Sequence, residues 1–526
     1  MQAAPLGDAD LVQLERLGIA EDEARRQLDR FRRLPTHVRI VRPCRVGDGI
    51  RLIDDREGDR LIGLHEEAAR QGRFTRFVPA SGAATRMFGE LLAFARTPGS
   101  PIPRAEIARR AGASDAAAGA VARLLARLPD FPFAGNLAAA LKRAGHPDGL
   151  ETGDVGAVLD ALLAEPGLGY STRPKGLLDF HVYADGARTA FEEHLVEAAD
   201  YVADAEGICR LHFTISPEHR DGFEALLGRV RRRHEERRGV RYEVSFSFQK
   251  PSTDTLAADA GGRPFRDESG RLVLRPGGHG ALIENLQDLG GDLVYMKNID
   301  NVQPDRLKPV VARWKRILGG ALAQLERRSR ELLAELEKPG AREAVLDGAR
   351  SFAATRLHIG LDGRFEACPV DKRRALLIDR LRRPMRVCGV VRNTGEPGGG
   401  PFWVRGPDGS ETPQIVEQVQ LDPEDAGQKE AFSGATHFNP VDLVCALTDP
   451  EGRAYDLRRF VDPDTATVTR KMHGGRELLA LERPGLWNGA MAGWNTVFVE
   501  VPLETFSPVK TLFDLLRADH RAEPQA

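Results

Sequence analysis

Six short stretches of this 526-residue chain carry residue types suited to binding and moving phosphate. The first is FVPASGAATRM (77–87). Ser81, Gly82, Ala83, Ala84 and Thr85 are small enough to let a ligand approach the backbone. A helix starting there would aim free N–H groups at an anion. Arg86 adds a planar cation with a fork of donors for phosphate oxygens. A tight strand-to-helix turn without a ligand would use the same residues. The second stretch is RPKGLLDF (173–180), where proline fixes the entry and Lys175 stands beside an apolar run. The third, FSFQKPSTDT (246–255), leaves a strand for a polar loop carrying Gln249. In open α/β sheets, ligands sit at the carboxyl ends of strands. The fourth, PGGHGA (276–281), is a second glycine-rich turn, with Gly278 and His279 at its centre. The fifth, KNIDN (297–301), ends an apolar strand with Asp300. A carboxylate so placed suits a hard cation, because Mg²⁺ takes one or two carboxylates plus waters and phosphates. An Asx turn or a helix cap would read the same way. The sixth, FSPVKT (506–511), presents Lys510 after a proline and before an expected helix.

The elements that must hold these residues alternate. Residues 74–80 form a β-rich stretch that runs directly into the first loop. Strands are expected at 209–215, 240–248 and 292–300, with helices at about 188–204, 217–238 and 305–336. Such alternation means βαβ units and a mostly parallel sheet. Residues 8–33 and 59–71 read as amphipathic helices with a strand-like segment between them, and residues 90–170 as an all-helical insertion. From about 385, short strands between Gly/Pro turns dominate, and a last strand at 495–503 leads to the sixth stretch. The expected fold is therefore α/β: a Rossmann-like, mostly parallel mixed sheet with helical decoration and a β-rich C-terminal part. The expected division is an N-terminal helical region at 1–72, an α/β core at 73–384, and a β-rich segment at 385–526.

Bulk properties narrow the function. The formal net charge is −2, so no global field favours nucleic acid. Five scattered cysteines without a CxxC pair argue against a disulfide framework or zinc ribbon and fit a reducing, cytoplasmic setting. No apolar run is long enough to span a membrane. The first loop lacks the G-x-G-x-x-G spacing of dinucleotide enzymes, and no GxxxxGK[ST] occurs.

Taken in order, the six stretches resemble those of the nucleotidyltransferases that make nucleotide sugars, most closely the UDP-N-acetylhexosamine and UDP-glucose pyrophosphorylases. Within that superfamily the chain resembles the DUF4301 family. The resemblance runs from about 74 to 517, and the helical block has no counterpart in it. ASGAATRM (80–87) resembles the glycine-rich nucleotide loop, with Ser81 and Ala84 where glycines are usual. RPKGLLDF (173–180) resembles a Pro-Lys motif that normally follows that loop closely; here the helical block intervenes, so that block must loop out and return the chain. PGGHGA (276–281) resembles the turn at the nucleotide base, and NIDN (298–301) the segment whose Asp lies near the metal. IVEQVQ (415–420) resembles the sugar-contacting strand, and FSPVK (506–510) the late lysine motif.

The resemblance implies that a nucleoside triphosphate, UTP in the first instance, and a sugar 1-phosphate condense with Mg²⁺ held at Asp300. It casts Arg86, Lys175 and Lys510 as catalytic, residues 81–85 with Gln249, Gly278 and His279 as nucleotide-binding, and Glu417 and Asn439 as sugar-binding. Two alternatives stand beside it: a relative that binds nucleotide or sugar phosphate and regulates without turnover, and an interaction module built on the helical segments.

Overall fold

A computed structural model describes residues 6–33, 37–96, 104–149, 155–338, 340, 342–361, 363–395, 398–406 and 409–521. A nine-stranded sheet forms its centre. In chain order the strands are β1 (Arg45–Val46), β2 (Gly49–Arg51), β3 (Phe74–Pro79), β4 (Ile208–Thr214), β5 (Arg241–Ser247), β6 (Leu293–Lys297), β7 (Met385–Arg392), β8 (His437–Ala446) and β9 (Asn495–Glu500). Their spatial order is β1-β2-β9-β7-β8-β6-β3-β4-β5. All neighbours are parallel except the two pairs made by β8, which runs antiparallel between β6 and β7. The sheet is thus mixed and mostly parallel. Every parallel strand ends on one edge, and β8 begins there.

The parallel strands are covered on both faces, as near-continuous apolar runs require. On one face lies the 29-residue helix Lys308–Leu336 beside Asp55–Arg70. Adjacent glycines at 319 and 320 allow this packing. A Cβ at Gly320 would overlap the Leu61 carbonyl, and one at Gly319 the Tyr295 hydroxyl. Val311, Ile317, Leu318, Leu322 and Leu325 are buried, and each such side chain stabilises by about 1.5–3 kcal/mol. A second apolar cluster fills the other face, with Leu286, Met296, Trp403, Leu486 and Trp494.

The three expected segments share this one sheet. Residues 45–51 of the N-terminal region supply the edge strand and its neighbour, so that region is only partly helical, and β7, β8 and β9 come from beyond 384. The helix expected across 8–33 is two, Asp8–Leu17 and Glu21–Arg33, because Gly18 turns left-handed at φ +72°. The insertion contains Gly89–Ala95, Arg104–Gly112, Ala116–Arg127, Ala134–Arg143 and Val155–Leu163. Two smaller sheets carry the β-rich part. One pairs Ile40–Pro43, Gly399–Arg405 and Glu411–Glu417; the other pairs Leu274–Arg275, Thr255–Ala258, Arg476–Glu482 and Thr467–His473.

Candidate active site at the carboxyl edge of the sheet

Four of the motif stretches meet where β3, β6 and β9 end. The loop after β3 is held by the chain returning from the helical insertion. Ala83 bridges Pro174, Ala84 N–H donates to Arg173 O at 3.2 Å, and Lys175 N–H donates to Gly82 O at 3.3 Å. The insertion therefore loops out and returns Lys175 to the loop.

This return alters the expected loop geometry. Residues 84–86 form one 3₁₀ turn, and the following helix, Gly89–Ala95, has seven residues. No long helix opens at the loop, and the Ala84 N–H is already taken by the Arg173 carbonyl. The segment after Lys510 is likewise a five-residue 3₁₀ turn, Leu512–Leu516, in place of a helix. Ser81 and Ala84 cost the loop no strain, since no residue from 80 to 87 has positive φ. Gly82 also has ordinary φ, and a Cβ there would meet no protein atom within 4 Å. The fold itself does not require glycine at 82.

Asp300 is the centre of charge. It is buried, and its Oδ2 accepts from Lys175 Nζ at 2.8 Å and Lys510 Nζ at 3.5 Å. Lys175 Nζ also donates to Val509 O at 2.7 Å. The 507–510 segment is strapped to the strand end: Asn301 bridges Pro508, Val509 N–H donates to Asp300 O at 3.1 Å, and Ser507 N–H donates to Asn301 Oδ1 at 3.0 Å. Burial would raise the Asp300 carboxyl, but Lys175 and then Lys510 outweigh it and hold it below the usual carboxylate range. No described residue donates to Asp300 Oδ1. One free carboxylate oxygen fits Mg²⁺ whose remaining ligands are waters and substrate phosphates. No group of three or more His, Cys, Asp or Glu suited to a metal occurs among the described residues.

The remaining motif residues flank this centre. Gln249 follows β5, half-buried, so it lies on the same edge. Gly278, at φ +74°, adopts a backbone that a side chain would strain. His279 next to it stacks on Trp487 at 4.7 Å, and its Nδ1 accepts from Leu486 N–H at 3.1 Å. Desolvation by the surrounding chain lowers the His279 pKa, although much of the residue's surface is open, and the nearby Glu417 and Glu482 carboxylates oppose it. Glu417, half-buried, ends its strand beside Gly399. Asn439 is 3% exposed on β8, and neither its Nδ2 nor its Oδ1 has a partner among the described residues. The β6–β8 pairing ends at Lys297 and Asp442, and Asn439 lies three residues before Asp442, past an irregularity in the β7–β8 register. Arg86 and Thr85 are exposed, and Arg86 has no carboxylate partner among the described residues.

Sequence reasoning missed several contributors. Ser216 after β4 donates to Ser81 O at 3.4 Å. Gln303 ties Asn301 to Lys297. Trp487 backs His279. Under the edge lies a closed charge network: Arg76 and Lys297 both pair with Glu197 (3.1 and 2.9 Å), all fully buried. Arg76 inside an otherwise apolar strand was a usable signal; Glu197, 121 residues away, was not. A cavity of about 420 Å³ near Ile415 and Asn488 is lined by none of the motif lysines, Arg86 or Asp300.

The chain belongs to the family described as Domain of unknown function (DUF4301), which matches residues 7–521. No curated protein matches it in sequence. Similar solved structures include the uridine diphosphate N-acetylglucosamine pyrophosphorylase of Trypanosoma brucei, at 13% identity and TM-score 0.48, covering 97% of this chain and 79% of that one. The UDP-glucose pyrophosphorylase of Leishmania major, as a point mutant in complex with UDP-glucose, shows 12% identity and TM-score 0.45 over 98% and 80%. A Trypanosoma brucei UDP-glucose phosphorylase shows 13% and 0.43 over 98% and 79%. No helix is long and apolar enough to cross a membrane, among the described residues.

Proposed function

We propose that this protein is a sugar-1-phosphate nucleotidyltransferase that joins a nucleoside triphosphate to a sugar 1-phosphate and releases pyrophosphate. The observation that carries this reading is the meeting of Lys175, Asp300 and Lys510 beside an open small-residue loop. Two lysines on one carboxylate leave surplus positive charge where phosphates would sit. A dense array of anions is the ligand that such a site suits.

In the proposed reaction an oxygen of the sugar phosphate attacks the α-phosphorus in line. The bond to the bridging oxygen of the β-phosphate breaks, and pyrophosphate leaves with that electron pair. The protein's task is to position two anions and neutralise them. Lys175 and Lys510 would hold the reacting phosphates, and Arg86 the leaving group. Bound Mg²⁺, held through Asp300, would supply charge neutralisation across phosphate oxygens. Residues 81–85 would approach the phosphates through backbone, while Gln249, Gly278 and His279 would meet the base. The buried amide of Asn439 has no partner among the described residues and would be satisfied by a sugar hydroxyl, and Glu417 would accept from another. The motif resemblance favours UTP.

The test is pyrophosphate release by the purified chain with Mg²⁺, screening UTP, GTP, CTP, ATP and dTTP against a panel of sugar 1-phosphates. Turnover with one pair, abolished by EDTA and by Asp300→Ala, is the expected result. Absence of release with every pair, from folded protein that still binds a nucleotide, would turn the reading toward binding without transfer.

A further inference from the structure

The helical insertion does more than loop out. Its helix Ala116–Arg127 faces the C-terminal segment across a cavity of about 470 Å³, within the size range of ligand pockets (about 300–1,000 Å³). Arg86 and Glu90 line it from the nucleotide-loop side, Arg123 from the insertion, and Thr511, Asp514 and Arg517 from the segment that begins with Lys510. The acids are partly occupied. Asp514 Oδ2 already accepts from the Lys510 and Thr511 N–H groups at 2.8 and 2.6 Å. Arg517 leans toward Asp519 at 3.3 Å. Arg86 and Arg123 have no carboxylate partner among the described residues. The Arg123 guanidinium lies over the Phe513 ring, 4.1 Å from its centroid. Stacking fixes the plane of the fork and uses none of its five N–H donors.

We infer that this cavity takes the pyrophosphate leaving group, and before reaction the β- and γ-phosphates of the triphosphate, with Arg123 of the insertion as a binding residue. The inference rests on the transferase reading, since it places the product of that reaction. It gives the insertion a role: the block adds Arg123 to the cations that Arg86 and Arg517 bring to the same cavity.

The test is calorimetric titration of Mg²⁺-pyrophosphate into the full chain, with Arg123→Ala, Arg123→Lys and, as control, Arg127→Ala on the same helix. Loss of one charge-assisted contact at an exposed site should weaken binding roughly tenfold in Arg123→Ala. Arg123→Lys should recover part of it, and Arg127→Ala should match wild type. In the reverse reaction, Arg123→Ala should raise KM for pyrophosphate by the same factor and leave KM for the nucleotide sugar unchanged. Equal pyrophosphate affinity in wild type and Arg123→Ala, or no measurable binding by wild type, would overturn the inference. Both outcomes would leave the transferase reading to the turnover screen. Arg123-dependent binding in a protein that turns over no substrate pair would uphold the pocket and sink the transferase reading.

Discussion

Two groups of charge lie within a few residues of each other at the end of β6 and carry opposite meanings. Lys297, the last residue of the strand, is fully buried and closed into a network with Glu197, Arg76 and Gln303. Asp300, three residues on, is held by two lysines, one of which is 58% exposed at its side chain. The inner group is shut away from solvent, with Arg76, Lys297 and Glu197 fully buried, so no ligand reaches it, although the Arg76 Nε lacks a partner among the described residues. Both groups set two cations on one carboxylate, but the outer one opens to solvent through Lys510. A charge network sealed from solvent reads as structure, and the same charge balance at an open strand end reads as function.

The largest expected effect lies in the inner group. Glu197→Ala leaves Arg76 and Lys297 buried without their counter-charge, which should cost about 3–5 kcal/mol of stability. A lowered urea midpoint with unchanged activity per folded molecule is the expected pattern. A midpoint within error of wild type would break the contrast. In the outer group, Lys510→Ala should reverse that pattern. Loss of the transition-state role proposed for it should cost about 10²–10³ in kcat, while an exposed side chain with a 3.5 Å contact should leave the midpoint nearly unchanged. Near-full rate would remove Lys510 from the assigned role.

A smaller effect separates the groups by pH. Asp300 is held below its ordinary value of 3.8 because its two lysines outweigh the effect of burial. Its folded state therefore binds a proton less readily than its unfolded state. The stability it contributes is complete above the unfolded value and falls as pH drops through the folded one. The difference in urea midpoint between wild type and Asp300→Asn should be constant above about pH 5 and shrink toward pH 3. A difference that grows on acidification would contradict the pairing with Lys175 and Lys510.

How far the sequence carried the argument depends on the range of the signal. The alternation of strands and helices is local, and the mostly parallel sheet was legible from it. The order of the motifs was legible too, because each is a short contiguous string. Three features were not. The reversed direction of β8 leaves no periodic trace, since a buried antiparallel strand such as DLVCA looks like a buried parallel one. The return of Lys175 to Gly82 depends on the three-dimensional path of the insertion, which no local pattern fixes. The 3₁₀ turns at 84–86 and 512–516 stand where helices were expected: the Ala84 N–H is held by Arg173 O from a distant part of the chain, whereas the Asp514 carboxylate on the Lys510 and Thr511 N–H groups is a local cap that a helix start would also use.

The smallest effect sharpens the contrast most, because it opposes stability to binding at one residue. Gly82 has backbone angles any residue can adopt and open space where a Cβ would go. Replacing such a glycine by alanine reduces the freedom of the unfolded chain and should stabilise the protein by about 0.4–1 kcal/mol. If the fold were the reason for the glycine, the substitution would destabilise. If close approach of a nucleotide is the reason, Gly82→Ala should raise the melting temperature slightly while raising KM for the triphosphate several-fold. The two measurements must move in those directions together. A stabilised protein with unaltered KM would mean that the loop does not meet its ligand at residue 82. The approach would then have to come through Ser81 or Ala83, whose exposed positions on the same loop the corresponding valine substitutions would probe.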